Sequence, residues 1–147
     1  MKMKKSLFAF SMILTAAFFT MPAYLNAQES YNYYALDYFK KSLECLISGD
    51  YDNAILNCSQ VLIRDPNSAV TYTIRARSYY EKGDMVRAID DCTKAINIDR
   101  NNVSAFIIRA KAYTSRNDSV RAGRDWLTVL RLNPDNAEAK FFLEQVE

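Results

Sequence analysis

Histidine is absent, and the 147 residues hold only three glycines, three prolines, three cysteines and one tryptophan. Without His the chain has neither a Ser-His-Asp nor a Cys-His nucleophile, and it lacks the commonest zinc ligand. So little Gly and Pro excludes collagen-like and low-complexity chains, and it disfavours an all-β fold with its many tight turns. No Gly-rich phosphate loop is present, because Gly49 and Gly83 stand alone as turn glycines. Cys45, Cys58 and Cys92 form no C-x-x-C pair, so no metal site is expected. A formal charge of +2 gives no electrostatic case for nucleic acid. What remains is 50% hydrophobic and 24% charged, which suits one small globular domain.

The first 27 residues differ from the rest. Lys2, Lys4 and Lys5 precede an apolar run, Leu7 to Met21, which Pro22 ends; Leu25-Asn26-Ala27 then offers a small residue for cleavage. That is the three-part layout of a secretory signal, with Gln28 as the new N-terminus. The run is 15 residues, short of the roughly 20 needed to span a bilayer. No Cys follows it to accept a lipid. Cleavage would remove three Lys and no acid, leaving 16 basic and 17 acidic residues. The expected product is exported, periplasmic or secreted, near neutral, and without a membrane-spanning segment.

A 34-residue period runs through the remainder. Gly49-Asp50 recurs as Gly83-Asp84 and then as Asn117-Asp118. Ala54, Ala88 and Ala122 keep the same spacing, as do Tyr38, Tyr72 and Phe106, and Cys58, Cys92 and Trp126. Within the second unit, Tyr72, Ala76, Tyr79 and Tyr80 recur at helical steps before Gly83-Asp84 breaks the helix. The next helix carries Ala88, Ile89, Cys92, Ala95 and Ile96 on one face. Asp65-Pro66-Asn67 and Asn133-Pro134-Asp135 turn the chain. Helices are expected near 31–48, 52–64, 69–82, 86–98, 103–116, 120–132 and 137–146.

These columns resemble the tetratricopeptide repeat, a 34-residue helix–turn–helix unit. The resemblance implies an all-α, right-handed solenoid of three repeats plus a C-terminal capping helix. Its divisions are a signal peptide (1–27), an N-terminal extension (28–34), repeats at 35–68, 69–102 and 103–136, and the cap at 137–147. The second unit lacks the proline and the third lacks the turn glycine. Gly123 also stands where the other units have Ile55 and Ile89, which should loosen that helix by roughly 1 kcal/mol.

The resemblance also implies that the first helices of the units line a concave surface for a partner peptide or helix. The aligned positions in the first unit are Leu36, Phe39, Leu43, Leu46 and Ile47; in the second, Val70, Thr73, Ile74, Arg77 and Tyr80; in the third, Ser104, Ile107, Ile108 and Lys111. Some members of the family grip a C-terminal carboxylate with Lys, Asn and Arg at fixed positions. Those positions here hold Phe39, Leu43, Ile74, Ser104 and Ile108, so that clamp is not expected. The apolar lining suits a hydrophobic or amphipathic helix, with Arg77 and Lys111 left to meet an acidic residue on it. A homodimer closing the same apolar surface is the alternative.

Other residues have ordinary readings. Asp84, Asp90, Asp91, Asp118 and Asp125 fit capping or solvated outer-face positions better than a catalytic pair, so neither an enzyme nor a cofactor is expected. Arg75 and Asp91 lie 16 apart, as do Arg109 and Asp125, which predicts an ion pair inside units two and three. Exposed, such a pair contributes ~0–1 kcal/mol; a cost of several would mark it as buried. Tyr34 and Tyr38 have core spacing, while Tyr31 and Tyr33 are ambiguous. Cys45 and Cys58 fall on facing helices, where export permits a disulfide and plain apolar packing competes with it. Asp118-Ser119-Val120 is similar to a short O-glycosylation acceptor, but three residues are a weak signal and an ordinary turn is the better reading.

Overall fold

The computed structural model describes residues 33–145. The expected signal segment, its cleavage site, Tyr31 and Val146 lie outside the described residues. The chain forms two compact units, Met1–Leu36 and Asp37–Glu147. Of the first, the described part is helical 33–36. There the Tyr33 and Tyr34 rings meet edge to face at 5.9 Å. Tyr34, expected in a core, is more than half exposed.

The second unit is all helix and turn among its described residues. It opens with α1, the residues 37–48 of a helical stretch that covers 33–48. Then follow α2 (Tyr51–Arg64), α3 (Ala69–Glu81), α4 (Met85–Ile98), α5 (Val103–Ser115), α6 (Ser119–Leu132) and α7 (Ala137–Glu144). From α2 onward each helix packs on the next, and α3 also touches α5. This is a helical-repeat solenoid.

Local chemistry sets the boundaries. Every helix from α2 to α7 is N-capped by a side-chain oxygen: Asp50, Ser68, Asp84, Asn102, Asp118 and Asn136 each accept from the backbone N–H three residues on. The turns inside the hairpins share one geometry. Gly49 and Gly83 both take φ +81°, and Asn117, at the same repeat position, takes φ +58°. Left-handed backbone closes α1, α3 and α5 and lets the Asp50, Asp84 and Asp118 N–H groups bond back to Cys45, Tyr79 and Tyr113 at 2.8–2.9 Å. Asn tolerates this conformation better than other non-Gly residues, so the third unit turns without its glycine. The second unit likewise turns without its proline, because Asp99 Oδ1 accepts from the Asn101 N–H just as Asp65 accepts from Asn67.

The core follows the 34-residue columns. Ser42, Ala76 and Ala110 on the odd-numbered helices and Ala54, Ala88 and Ala122 on the even ones are all fully buried, and Ala110 and Ala122 share one core cluster. Small residues in both columns let paired helices approach closely. Cys58, Cys92 and Trp126 form the next buried column. Trp126 lies 5.8 Å from the Phe142 ring of α7, which ties the last helix to the stack.

Candidate partner-binding face

The aligned positions on α1, α3 and α5 divide by depth. Ile47 is 86% exposed and Val70 57%, with Arg77 and Ser104 also exposed. Phe39, Leu43, Thr73, Tyr80, Ile107 and Lys111 are half-buried. Leu36 is exposed and belongs to the first unit. Ile74 and Ile108 correct the sequence reading: both are buried, and Ile108 packs with Ala76, Cys92 and Ala105 in the core between α3, α4 and α5. They support the surface from below. Thr73 is engaged as well, since its hydroxyl bonds the Ala69 carbonyl and receives the Asn102 amide at 3.0 Å.

The open part of the face is a shallow hollow of about 290 Å³ lined by Leu46, Ile47, Tyr51, Arg77 and Glu81. Both cations expected to await an acidic partner are already matched. Arg77 Nε donates to Glu81 at 2.6 Å, one helical turn on, and Lys111 Nζ lies 2.5 Å from Glu138 of α7. Glu81, Glu138 and Tyr51 were not among the sequence candidates. Glu81 was findable from its i,i+4 spacing; Glu138 pairs through the tertiary fold alone.

Behind this face runs a polar ladder. Arg75 donates to both carboxylate oxygens of Asp91, Nε at 2.7 Å and Nη2 at 2.9 Å, and through Nη1 to the Ser59 hydroxyl at 2.9 Å. Arg109 repeats this with Asp125 at 2.8 Å twice and Thr93 at 3.1 Å. Each arginine therefore joins its own hairpin to the preceding one. Asp91 and Asp125 are buried and take no outer-face position. Burial works against the charge on Arg75 and Arg109, but the hydrogen bonds and charge of their carboxylates outweigh it, and both guanidiniums are held above their ordinary range.

Other titrating groups serve structure. Hydrogen bonds from Arg87 and Arg121 hold the capping carboxylates Asp84 and Asp118 below the usual range, and those from Asn53 do so for Asp50. The three thiols are free, so Cys45 and Cys58 are unbridged. Burial pushes the Cys58 thiol up to about 11 and that of Cys92 up to about 12, which makes them poor nucleophiles. Among the described residues, no three His, Cys, Asp or Glu side chains gather as a metal ion requires, and no helix is long and apolar enough to cross a membrane.

Comparison with solved structures identifies the architecture. The first TPR domain of Spaghetti (RPAP3), bound to the HSP90 peptide SRMEEVD, superposes with a TM-score of 0.74 at 29% identity, over 76% of this chain and 89% of that one. This is the tetratricopeptide-repeat fold. The second TPR domain of human RPAP3, in complex with the HSP70 peptide SGPTIEEVD, gives 0.73 at 28% identity, over 79% of this chain and 97% of that one. The Arabidopsis OM64 TPR domain gives 0.73 at 26%, over 76% and 92%. No family model and no curated protein sequence matches the chain. Solved tetratricopeptide domains thus include peptide-bound ones, and the fold is that of a protein-interaction module.

Proposed function

We propose that this chain is a tetratricopeptide-repeat protein of 35–68, 69–102 and 103–136 with a cap at 137–147, and that it binds a protein partner without catalysis. The partner is an apolar or amphipathic helix laid on the face of α1, α3 and α5. The observation that carries this reading is the exposure of Ile47 beside a hollow whose only cation is neutralised, with Val70 exposed at the other end of α3. Neighbours solved with peptides bound favour a peptide-binding role. Their acidic peptides are a poor guide to this ligand. Phe39, Leu43, Ile74, Ser104 and Ile108 supply no cation, Ile74 and Ile108 are buried, and Arg77 and Lys111 carry their own carboxylates. The basic, apolar first 27 residues support export and a place in a cell-envelope assembly.

The test is a titration of the protein with two synthetic peptides, an uncharged amphipathic helix and an acidic heptapeptide ending in a free carboxylate. The helix should bind and the acidic peptide should not. The charge variant Ile47→Glu with Val70→Glu, both at exposed positions, should abolish binding and keep the fold. A variant at Ile74 or Ile108 is unsuitable, because a buried unpaired carboxylate unfolds the stack. Preference for the acidic peptide would overturn the reading. A chain that is dimeric in wild type and monomeric in the variant would place a second copy on this face instead.

A further inference from the structure

The outer face of α6 differs from those of the other even-numbered helices. Its core side is Ala122, Asp125, Trp126 and Val129. Directly opposite, at helical steps of four, three and four, stand Val120, Arg124, Leu127 and Arg131. Val120 is 69% and Leu127 59% exposed, and both arginines are exposed. Like residues are seven apart, so the two aliphatics and the two guanidiniums each repeat at about 10 Å along the helix. The stripe is narrow, alternating and about three turns long.

The fold does not require these residues. The columns of Arg124 and Arg131 hold Leu56 and Ile63 on α2, and Asp90 and Asn97 on α4. The charges are also unspent. Arg75, Arg77, Lys82, Arg87, Lys94, Arg109, Lys111, Arg121 and Lys140 all have a carboxylate partner. Arg124 and Arg131 have none among the described residues. Planar guanidiniums take carboxylates bidentately, and they do so best beside apolar surface that excludes water.

We propose that this stripe is a second docking surface, on the side of α6 away from the core, for a partner helix carrying acidic residues flanking an apolar seam at a seven-residue repeat. Val120 and Leu127 bury the seam, and Arg124 and Arg131 pair with the carboxylates and fix the register. The inference is independent of the α1/α3/α5 face and survives its failure.

The experiment titrates the full chain with a labelled three-heptad helix carrying Leu at one position of each heptad and Glu beside it, and with the same helix carrying Lys for Glu. Wild type should prefer the Glu helix by at least about tenfold, and added salt should narrow the gap. Arg124→Glu with Arg131→Glu should reverse the preference. Lys40→Glu with Arg100→Glu, two other exposed cations, should leave it in place. Circular dichroism confirms folding, and the milder Arg124→Gln with Arg131→Gln serves if the reversal does not fold. Equal binding of both helices, or none of either, overturns the proposal. So does a preference that the arginine variants leave unchanged. Binding to phosphatidylglycerol vesicles in place of the Glu helix, lost in the same variants, overturns it in favour of a membrane surface.

Discussion

Removing the Asp91 carboxylate charge is the sharpest perturbation this structure offers. In Asp91→Asn the side chain keeps its shape and one oxygen, but the second oxygen becomes an amide that faces the Arg75 guanidinium donor to donor. Asp91 is 4% and Arg75 16% exposed at the side chain. Water therefore does not replace the lost charge, and Ser59 and the one remaining side-chain oxygen at position 91 are the neutral acceptors left to Arg75. Lys94, 3.8 Å from Asp91 and more than half exposed, adds a second cation without its anion. Breaking a buried pair from one side costs about 3–5 kcal/mol, and Asn, which keeps one acceptor, belongs at about 3. An exposed pair would cost about 0–1 kcal/mol. The expected loss is a large fraction of the roughly 5–15 kcal/mol that holds a domain together.

The assay is urea unfolding followed by far-ultraviolet circular dichroism and by Trp126 fluorescence. With an m-value of about 1.5 kcal/mol per M, the midpoint should fall by about 2 M. Replacing both partners, Arg75→Met with Asp91→Leu, should recover most of the loss, because the penalty comes from the orphaned charge. The effect should change little between low and high salt, as burial shields the pair from screening. A midpoint shift below about 0.5 M would refute the reasoning, since it falls in the range of a solvent-exposed pair. A double variant no more stable than Asp91→Asn would refute it as well. Divergence of the two probes in the single variant would show that the Arg75 link from α2 to α4 is what makes adjacent hairpins unfold together.

Three further outcomes follow from single residues. Gly123 is helical and an added Cβ meets nothing within 4 Å, so Gly123→Ala should raise stability by about 1 kcal/mol, read as a higher melting temperature. Asp50, Asp84 and Asp118 have lowered pKa values when folded, so their stabilisation is complete above the ordinary carboxylate value and is lost as pH falls from there through the lower folded values; acid destabilisation should begin at the ordinary value, and Asp84→Asn should weaken that dependence. Iodoacetamide at pH 8 should label the half-buried Cys45 alone in the native chain and all three thiols in urea; no labelling of Cys45 in an unreduced sample would mean that it is bridged.

Much of the fold is legible because the 34-residue columns act at every level at once. The same spacing fixes the caps at Asp50, Asp84 and Asp118, the small contacts at Ala54, Ala88 and Ala122, and the turns at Gly49 and Gly83. The Arg75–Asp91 spacing shows that two residues meet, but not how deeply. Depth depends on the neighbouring hairpin that covers them, and Ser59, the residue that reveals this contact, carries no signal of its own. Ile74 and Ile108 fail for a related reason. Family alignment places them on the inner face, yet Ile108 packs into the core with small Ala76 and Ala105, and Ile74 is buried as well. Charge is the least legible property. Arg77 and Lys111 look alike in sequence as cations on one face, and both are neutralised, one by a residue four positions away and the other by a helix the chain reaches 27 residues later. Their carboxylate partners leave the face near neutral, so burial of Ile47 and Val70, rather than attraction to an anion, supplies whatever affinity that face has.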